Sequence, residues 1–204
     1  MKKSNIGYLK RRVLFSTLFF LSLITGLAAQ EKTVKYNILQ NDNIIGQMKF
    51  CQKKDSGNLY LSMVSSAKSR FVFSIEVNTE ERAHFRNGLL VSSSVQRRVN
   101  GKEKANRQTH LINTSYQLKS ERKTSRLNRP INYNLLLLYA NEPSNLSQVY
   151  SDNYQQFLEI KQTSPHSYRI QLPDGNYNDY YFSDGICKEI ILHHSFYTIT
   201  MRLA

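Results

Sequence analysis

The chain has no tryptophan, only four prolines, eight glycines and two cysteines in 204 residues. So little proline and glycine argues against a disordered or low-complexity chain. With two cysteines there is no Cys-x-x-Cys pair, so a dithiol redox motif is excluded. Three other chemical signatures are missing: a Gly-x-Ser-x-Gly elbow, a His-Glu-x-x-His helix and a glycine-rich phosphate loop. Acids are also scarce, 15 against 28 lysines and arginines. Beyond residue 29 no apolar run approaches the ~20 residues that a membrane-crossing helix needs.

What is present begins with an address. Lys2, Lys3, Lys10, Arg11 and Arg12 precede the apolar run Val13–Ile24, which exits through Gly26-Leu27-Ala28-Ala29. A basic segment, a short apolar segment and small residues at the exit describe a secretory signal peptide over 1–29, and the run is short for an uncleaved anchor. The expectation is an exported chain, periplasmic or at the cell surface, with a single domain over 30–204. Those 175 residues suffice for one core.

Removing the leader leaves 23 bases against 15 acids, and the excess is concentrated. Between Arg97 and Arg129 stand ten bases, with Glu103 and Glu121 as the acids, while the rest of the mature chain balances. Arg97, Arg98, Lys102, Lys104, Arg107, Arg122 and Lys123 are therefore expected to be exposed as one positive surface. Such a surface suits an anionic envelope component such as lipopolysaccharide or phospholipid headgroups. Charges that merely solvate a strand pair and block edge aggregation are the plainer explanation. Nucleic acid is not expected, since no recognition motif accompanies the charge.

Thirteen tyrosines, ten phenylalanines and many β-branched residues fall in a period of two. Phe71, Phe73, Ile75 and Val77 form one apolar row, as do Leu89, Val91, Val95 and Val99, and then Ile112, Tyr116 and Leu118. Asn41-Asp42-Asn43, Ser56-Gly57, Asn87-Gly88, Asn100-Gly101, Asp174-Gly175 and Asp184-Gly185 punctuate these rows as hairpin turns. Strands are predicted near 33–40, 44–53, 59–67, 70–84, 89–99, 104–118, 154–162, 167–172, 176–183 and 186–203. The fold class is all-β, an antiparallel meander of about ten strands curled into a barrel or half-barrel. Phe71, Phe73, Ile75, Val77, Leu89, Val91, Val95, Ile112, Tyr116 and Ile170 are its expected core. Near 130–140, Pro130 and the face Ile131, Leu135, Leu138 and Tyr139 predict one short helix across the open end or concave face, stopped by Pro143, with a strand through Leu135-Leu136-Leu137-Leu138 as the competing reading of so short an apolar run.

Candidate site chemistry is sparse. Adjacent His193 and His194 face opposite sides of a strand and cannot share a metal. Asp174-x-Asn176-x-Asn178 starts like a calcium loop, but Asp179 and Gly185 occupy the positions that need glycine and a bidentate acid. No cofactor or catalytic residue is expected. Cys51 and Cys187 would pair in an oxidising compartment if their strands met within about 7 Å at Cα, and otherwise are small buried apolar residues.

The order of several short motifs is distinctive: Phe85-x-Asn87-Gly88-x-Leu90-x-x-Ser93, Asn100-Gly101, Leu138-Tyr139-x-x-Glu142-Pro143, Tyr150-Ser151, and Tyr168-x-x-x-Leu172-Pro173-Asp174-Gly175-x-x-Asn178-x-Tyr180-x-Phe182-x-x-Gly185. Together they resemble a family of small exported proteins of Gram-negative bacteria classed as a domain of unknown function. The resemblance implies an all-β curved sheet and a periplasmic or surface location, and brings no catalytic residues or disulfide. The functional expectation is a non-catalytic binding module for an apolar or amphiphilic ligand. The alternative is an envelope-associated structural or assembly factor that contacts anionic glycolipid through the basic hairpin 97–129.

Overall fold

In the computed structural model, which describes residues 30–69 and 74–204, the turn pairs act as the sequence predicts. Asn87 and Gly88 have φ of 50° and 78°, and Asn100 and Gly101 have φ of 50° and 76°. Two successive positive φ values match the right-handed twist of the strands they join. The strands are β1 (Gln30–Gln40), β2 (Asn43–Asp55), β3 (Asn58–Ser69), β4 (Ile75–Arg86), β5 (Leu89–Val99), β6 (Lys102–Ile112) and β7 (Ser115–Lys119). Then come β8 (Thr124–Leu127), β9 (Gln148–Ser151), β10 (Gln156–Ser164), β11 (Ser167–Gln171), β12 (Tyr177–Ser183), β13 (Ile186–His194) and β14 (Tyr197–Leu203). The predicted leader over 1–29, together with Phe71 and Phe73, lies outside the described residues.

All fourteen strands form one antiparallel sheet, ordered β8-β7-β6-β5-β4-β3-β2-β1-β14-β13-β12-β11-β10-β9. There are thus two meanders, and the last strand pairs with the first, Tyr36 opposite Leu203. The predicted strand 104–118 is split by a turn at Asn113, whose φ is 57° without a glycine beside it. The predicted strand 186–203 is likewise split at Ser195-Phe196.

Between the meanders, residues 128–147 cross the concave side. The predicted helix there is a five-residue 3-10 helix, Leu135–Tyr139. Asn134 caps it, its Oδ1 accepting from the Leu137 N–H at 3.3 Å. The crossover seats Ile131, Leu136, Leu137 and Leu138 among Tyr36, Phe50, Phe85 and Tyr150, all buried. Each such side chain removed from water contributes roughly 1.5–3 kcal/mol. The sheet curls until its far parts meet, although no ladder closes it. The Thr109 and Tyr150 hydroxyls lie 3.1 Å apart, and Gln155 Nε2 donates to the carbonyls of Gln108 and Lys119, both at 3.0 Å. The free edge of β9 takes a backbone bond from the crossover, Tyr150 N–H to Tyr133 carbonyl at 3.0 Å.

Several expected positions move. Val95, Tyr116 and Ile170 are buried, and Val77 is half-buried. Ile75 is exposed at a strand start, and Ile112 is exposed because the turn after it resets the alternation. A bulge pairs His84 with Ser92 but Phe85 with Leu90, so Leu90 takes the buried place while Leu89 and Val91 stay half-buried. Cys51 and Cys187 are both free. Their strands are separated by β1 and β14, roughly 14 Å at 4.7–4.9 Å per strand, too far for a bridge. Cys187 faces the core, and burial pushes its thiol up to about 12.

Gly46 marks where two strands press together, beside a bulge at Ile38 and Leu39. A Cβ there would sit 2.1 Å from the Ser66 carbonyl oxygen. Gly46→Ala should therefore lower the unfolding free energy by about 1–3 kcal/mol in urea titration. In Gly101→Ala the new Cβ meets nothing within 4 Å, so only the positive φ should cost, about 1 kcal/mol.

Candidate functional site

The two ends of the curled sheet differ in chemistry. At one pole lie the tips Ser56-Gly57 and Asn87-Gly88, joined by Asn87 N–H to the Gly57 carbonyl at 2.8 Å, with the crossover beside them. Asn132 Nδ2 ties the crossover to the Gly88 carbonyl at 3.1 Å. This half of the interior is filled with apolar side chains. At the opposite pole lie the tips Asn41-Asp42, Asn100-Gly101, Asp174-Gly175 and Ser195-Phe196. There the inward positions of β3, β4, β13 and β14, including Ser65, Ala67, Val77, Leu192, His194 and Ile199, are only half-buried. The concave face is a cup, sealed at the crossover pole and less covered at the other.

Its polar wall comes from β4 to β6. Alternation puts Thr79, Glu81 and Ala83 inward on β4, Ser93, Val95 and Arg97 on β5, and Ala105, Arg107 and Thr109 on β6. Arg97 and Arg107 thus leave the exposed basic set expected from sequence: both are half-buried and face the cup, because they fall in phase with Val95 and Ala105. Arg98, Lys102, Lys104, Arg122 and Lys123 are exposed as expected. Among the described residues no carboxylate lies within 4 Å of Arg97, and Arg107 has only Glu121, at 3.9 Å. The Nε of Arg107 is buried without a hydrogen-bond partner.

Asp152, just beyond β9, is buried and is the polar anchor of this wall. It accepts from Ser93 Oγ and, at 2.7 Å, from Asn134 Nδ2. Burial pushes its carboxyl up to about 6, against the pull of those two hydrogen bonds. Burial also pushes Glu81 up to about 7, the Asp152 charge adding to the shift and Arg97 opposing it. Tyr154 reaches across, its hydroxyl donating to Asp174 Oδ2 at 3.3 Å. Burial holds His194 below the usual imidazole range. Glu81, Asp152 and Asn134 were not singled out from sequence. Their signal was the phase: Glu81 occupies a core position between Thr79 and Ala83.

His193 and His194 do face opposite sides. His193 stacks on Tyr177 at 4.3 Å on the outer face and lies 3.2 Å from Asp179, which Arg169 grips at 2.7 and 2.8 Å. That cluster fixes the register of β11 to β13. Among the described residues, no three of His, Cys, Asp and Glu converge as a metal would require. A depression of about 370 Å³ at the crossover pole is lined by the β2–β3 tip, Lys54 to Leu59, and by Gln30; its polar groups belong to that turn, and Lys54, Asp55 and Ser56 are exposed.

An open, barrel-like sheet with a helix-bearing crossover inside it defines an all-β, β-barrel-like protein. The chain belongs to the family described as domain of unknown function DUF6134, whose model matches residues 36–204. Its fold is similar to that of the beta-barrel-like protein of domain of unknown function DUF1849 from Brucella abortus, with a TM-score of 0.52 and 8% identity over 86% of this chain and 96% of that one. No curated protein matches the chain.

Because the folded state raises the Glu81 and Asp152 carboxyls above their ordinary values of 4.5 and 3.8, it holds protons that the unfolded chain releases. Their contribution to stability is therefore complete at low pH and falls as pH rises from about 4 to 7. Glu81→Gln should flatten this fall, adding about 1–2 kcal/mol at pH 8 and little at pH 4 in paired urea titrations. That range discounts the full shift for the solvent Glu81 retains.

Proposed function

We propose that this protein is an exported, non-catalytic binding module that holds an amphiphilic ligand in the less covered half of its cup. The observation supporting this most strongly is the pair Arg97 and Arg107, turned inward and poorly matched with carboxylates. Half-buried guanidiniums with unused donors suit an anionic headgroup, which they can grip through two parallel hydrogen bonds. The half-buried Val77, Leu192 and Ile199 offer the adjoining apolar surface for a chain. The apolar filling at the crossover pole limits such a chain to a short depth.

Native mass spectrometry of protein purified from its own envelope tests this. A co-purifying amphiphile is expected, and Arg97→Ala with Arg107→Ala should weaken its retention at least tenfold per arginine while the circular dichroism spectrum is kept. Wild-type protein that emerges free of ligand would refute the reading. The exposure of Arg98, Lys102, Lys104, Arg122 and Lys123 favours a second reading, an envelope-associated assembly factor that contacts anionic glycolipid through the hairpin 97–129.

A further inference from the structure

The hairpin tips at the two poles are built of different residues. At the crossover pole they are Ser56-Gly57, Asn87-Gly88, Asn113-Thr114, Pro165-His166 and Asp184-Gly185, polar turn chemistry in which no tip residue is apolar but Pro165; the exposed Ile112, Tyr60 and Tyr181 stand singly on separate strands beside them. At the other pole, Phe196 is 95% exposed, Ile44 62%, Tyr197 48% and Ile75 44%. These four belong to the β13–β14 tip, the β1–β2 tip and the start of β4, which are consecutive along the rim. Leu39 pairs with both Ile44 and Thr200, and Ser69 pairs with Ile75. Ser69 Oγ donates to Gln40 Oε1 at 2.6 Å, tying two of these tips together.

The next tip along the same rim is Asn100-Gly101, joined to the start of β4 by Asn100 N–H to the Glu76 carbonyl at 2.9 Å. It carries exposed Arg98, Lys102 and Lys104, and Lys68 is exposed beside it on β3. Asp42, Glu76 and Glu103 lie among these residues, and Gln96 donates to Glu103 at 3.1 Å. Hairpin turns ask for Asn, Asp or Gly, so folding gives no reason for a phenylalanine at a tip. Single exposed apolar residues are ordinary, but a run of them on adjoining tips next to bases marks an interaction surface. Apolar and aromatic residues that bury at the acyl boundary, with bases at the headgroups, are what an anionic bilayer surface binds.

We propose that this rim docks on a bilayer of anionic phospholipid, with Phe196 and Ile44 inserted below the headgroups, Tyr197 at their level, and Lys102, Lys104 and Arg98 on the phosphates. This deepens the second reading above and does not need a ligand in the cup.

The absence of tryptophan supplies the test, since Phe196→Trp introduces the sole indole. On phosphatidylglycerol vesicles its emission should shift to the blue and be quenched by lipids brominated near the headgroup end of the chains. On phosphatidylcholine vesicles at the same salt it should change little. Phe196→Ser with Ile44→Ser should weaken vesicle co-sedimentation by at least tenfold, and Lys102→Gln with Lys104→Gln by about fivefold per base at low salt. Thermal melts should be unchanged in both. An unshifted, unquenched indole signal from the Phe196→Trp variant, on vesicles that do bind it, would overturn insertion while leaving charge-only contact with lipid standing. Equal sedimentation of wild type and the Phe196 and Ile44 variant would overturn it too. So would a solution dimer, seen by ultracentrifugation, that the same variant abolishes.

Discussion

The buried carboxylate of Asp152 is the contact on which the rest of the architecture turns. It gathers three pieces that meet elsewhere through single backbone bonds only: Ser93 on β5, the crossover at Asn134, and its own segment after β9. An ionised carboxylate in an apolar setting is costly unless its lone pairs are used. Here two donors from distant parts of the chain use them. The curled sheet, the seat of the 3-10 helix and the polar wall of the cup meet where that group sits. Asn134 serves twice, capping the helix with one side-chain atom and holding Asp152 with the other. A single asparagine thus fixes both where the crossover turns and what it turns against.

The exposed tips and the polar wall are set by one property of strands, the alternation of side chains between faces. Alternation places Arg97 in the cup and Arg98 outside it, one position apart. The basic segment is therefore not one surface but two, an outer set available to a membrane and an inner pair available to a ligand. The same rule puts His193 in an outer ion-pair cluster and His194 inside.

Much of the fold was legible because its signals are local. Asn-Gly and Asp-Gly pairs need positive φ and announce hairpins, and period-two rows announce strands, so the all-β antiparallel class followed from the sequence. Non-local pairing left no such mark. Nothing near β1 says that it pairs with β14, and that one pairing turns a simple meander into two. It also separates Cys51 from Cys187. The turn at Asn113 was hidden because asparagine reached positive φ without a glycine. The bulge at Phe85 moved burial from Leu89 to Leu90. The cup residues were legible only in hindsight: once the phase of β4 is known, Glu81 stands out as an acid in an apolar row.

The pairing of β1 with β14 also governs how the chain is made. During synthesis β1 finds β2 at once, but its other edge stays unpaired until β14, the last of the described strands, emerges. For most of translation the nascent chain presents an open row of backbone donors and acceptors in the middle of what will become the sheet, an invitation to pair with the wrong strand. Joining that seam brings together residues far apart in sequence, which makes it a late and slow event. The charged and polar outer side chains Glu31, Thr33, Lys35 and Asn37 along β1 fit a strand that must remain soluble while it waits.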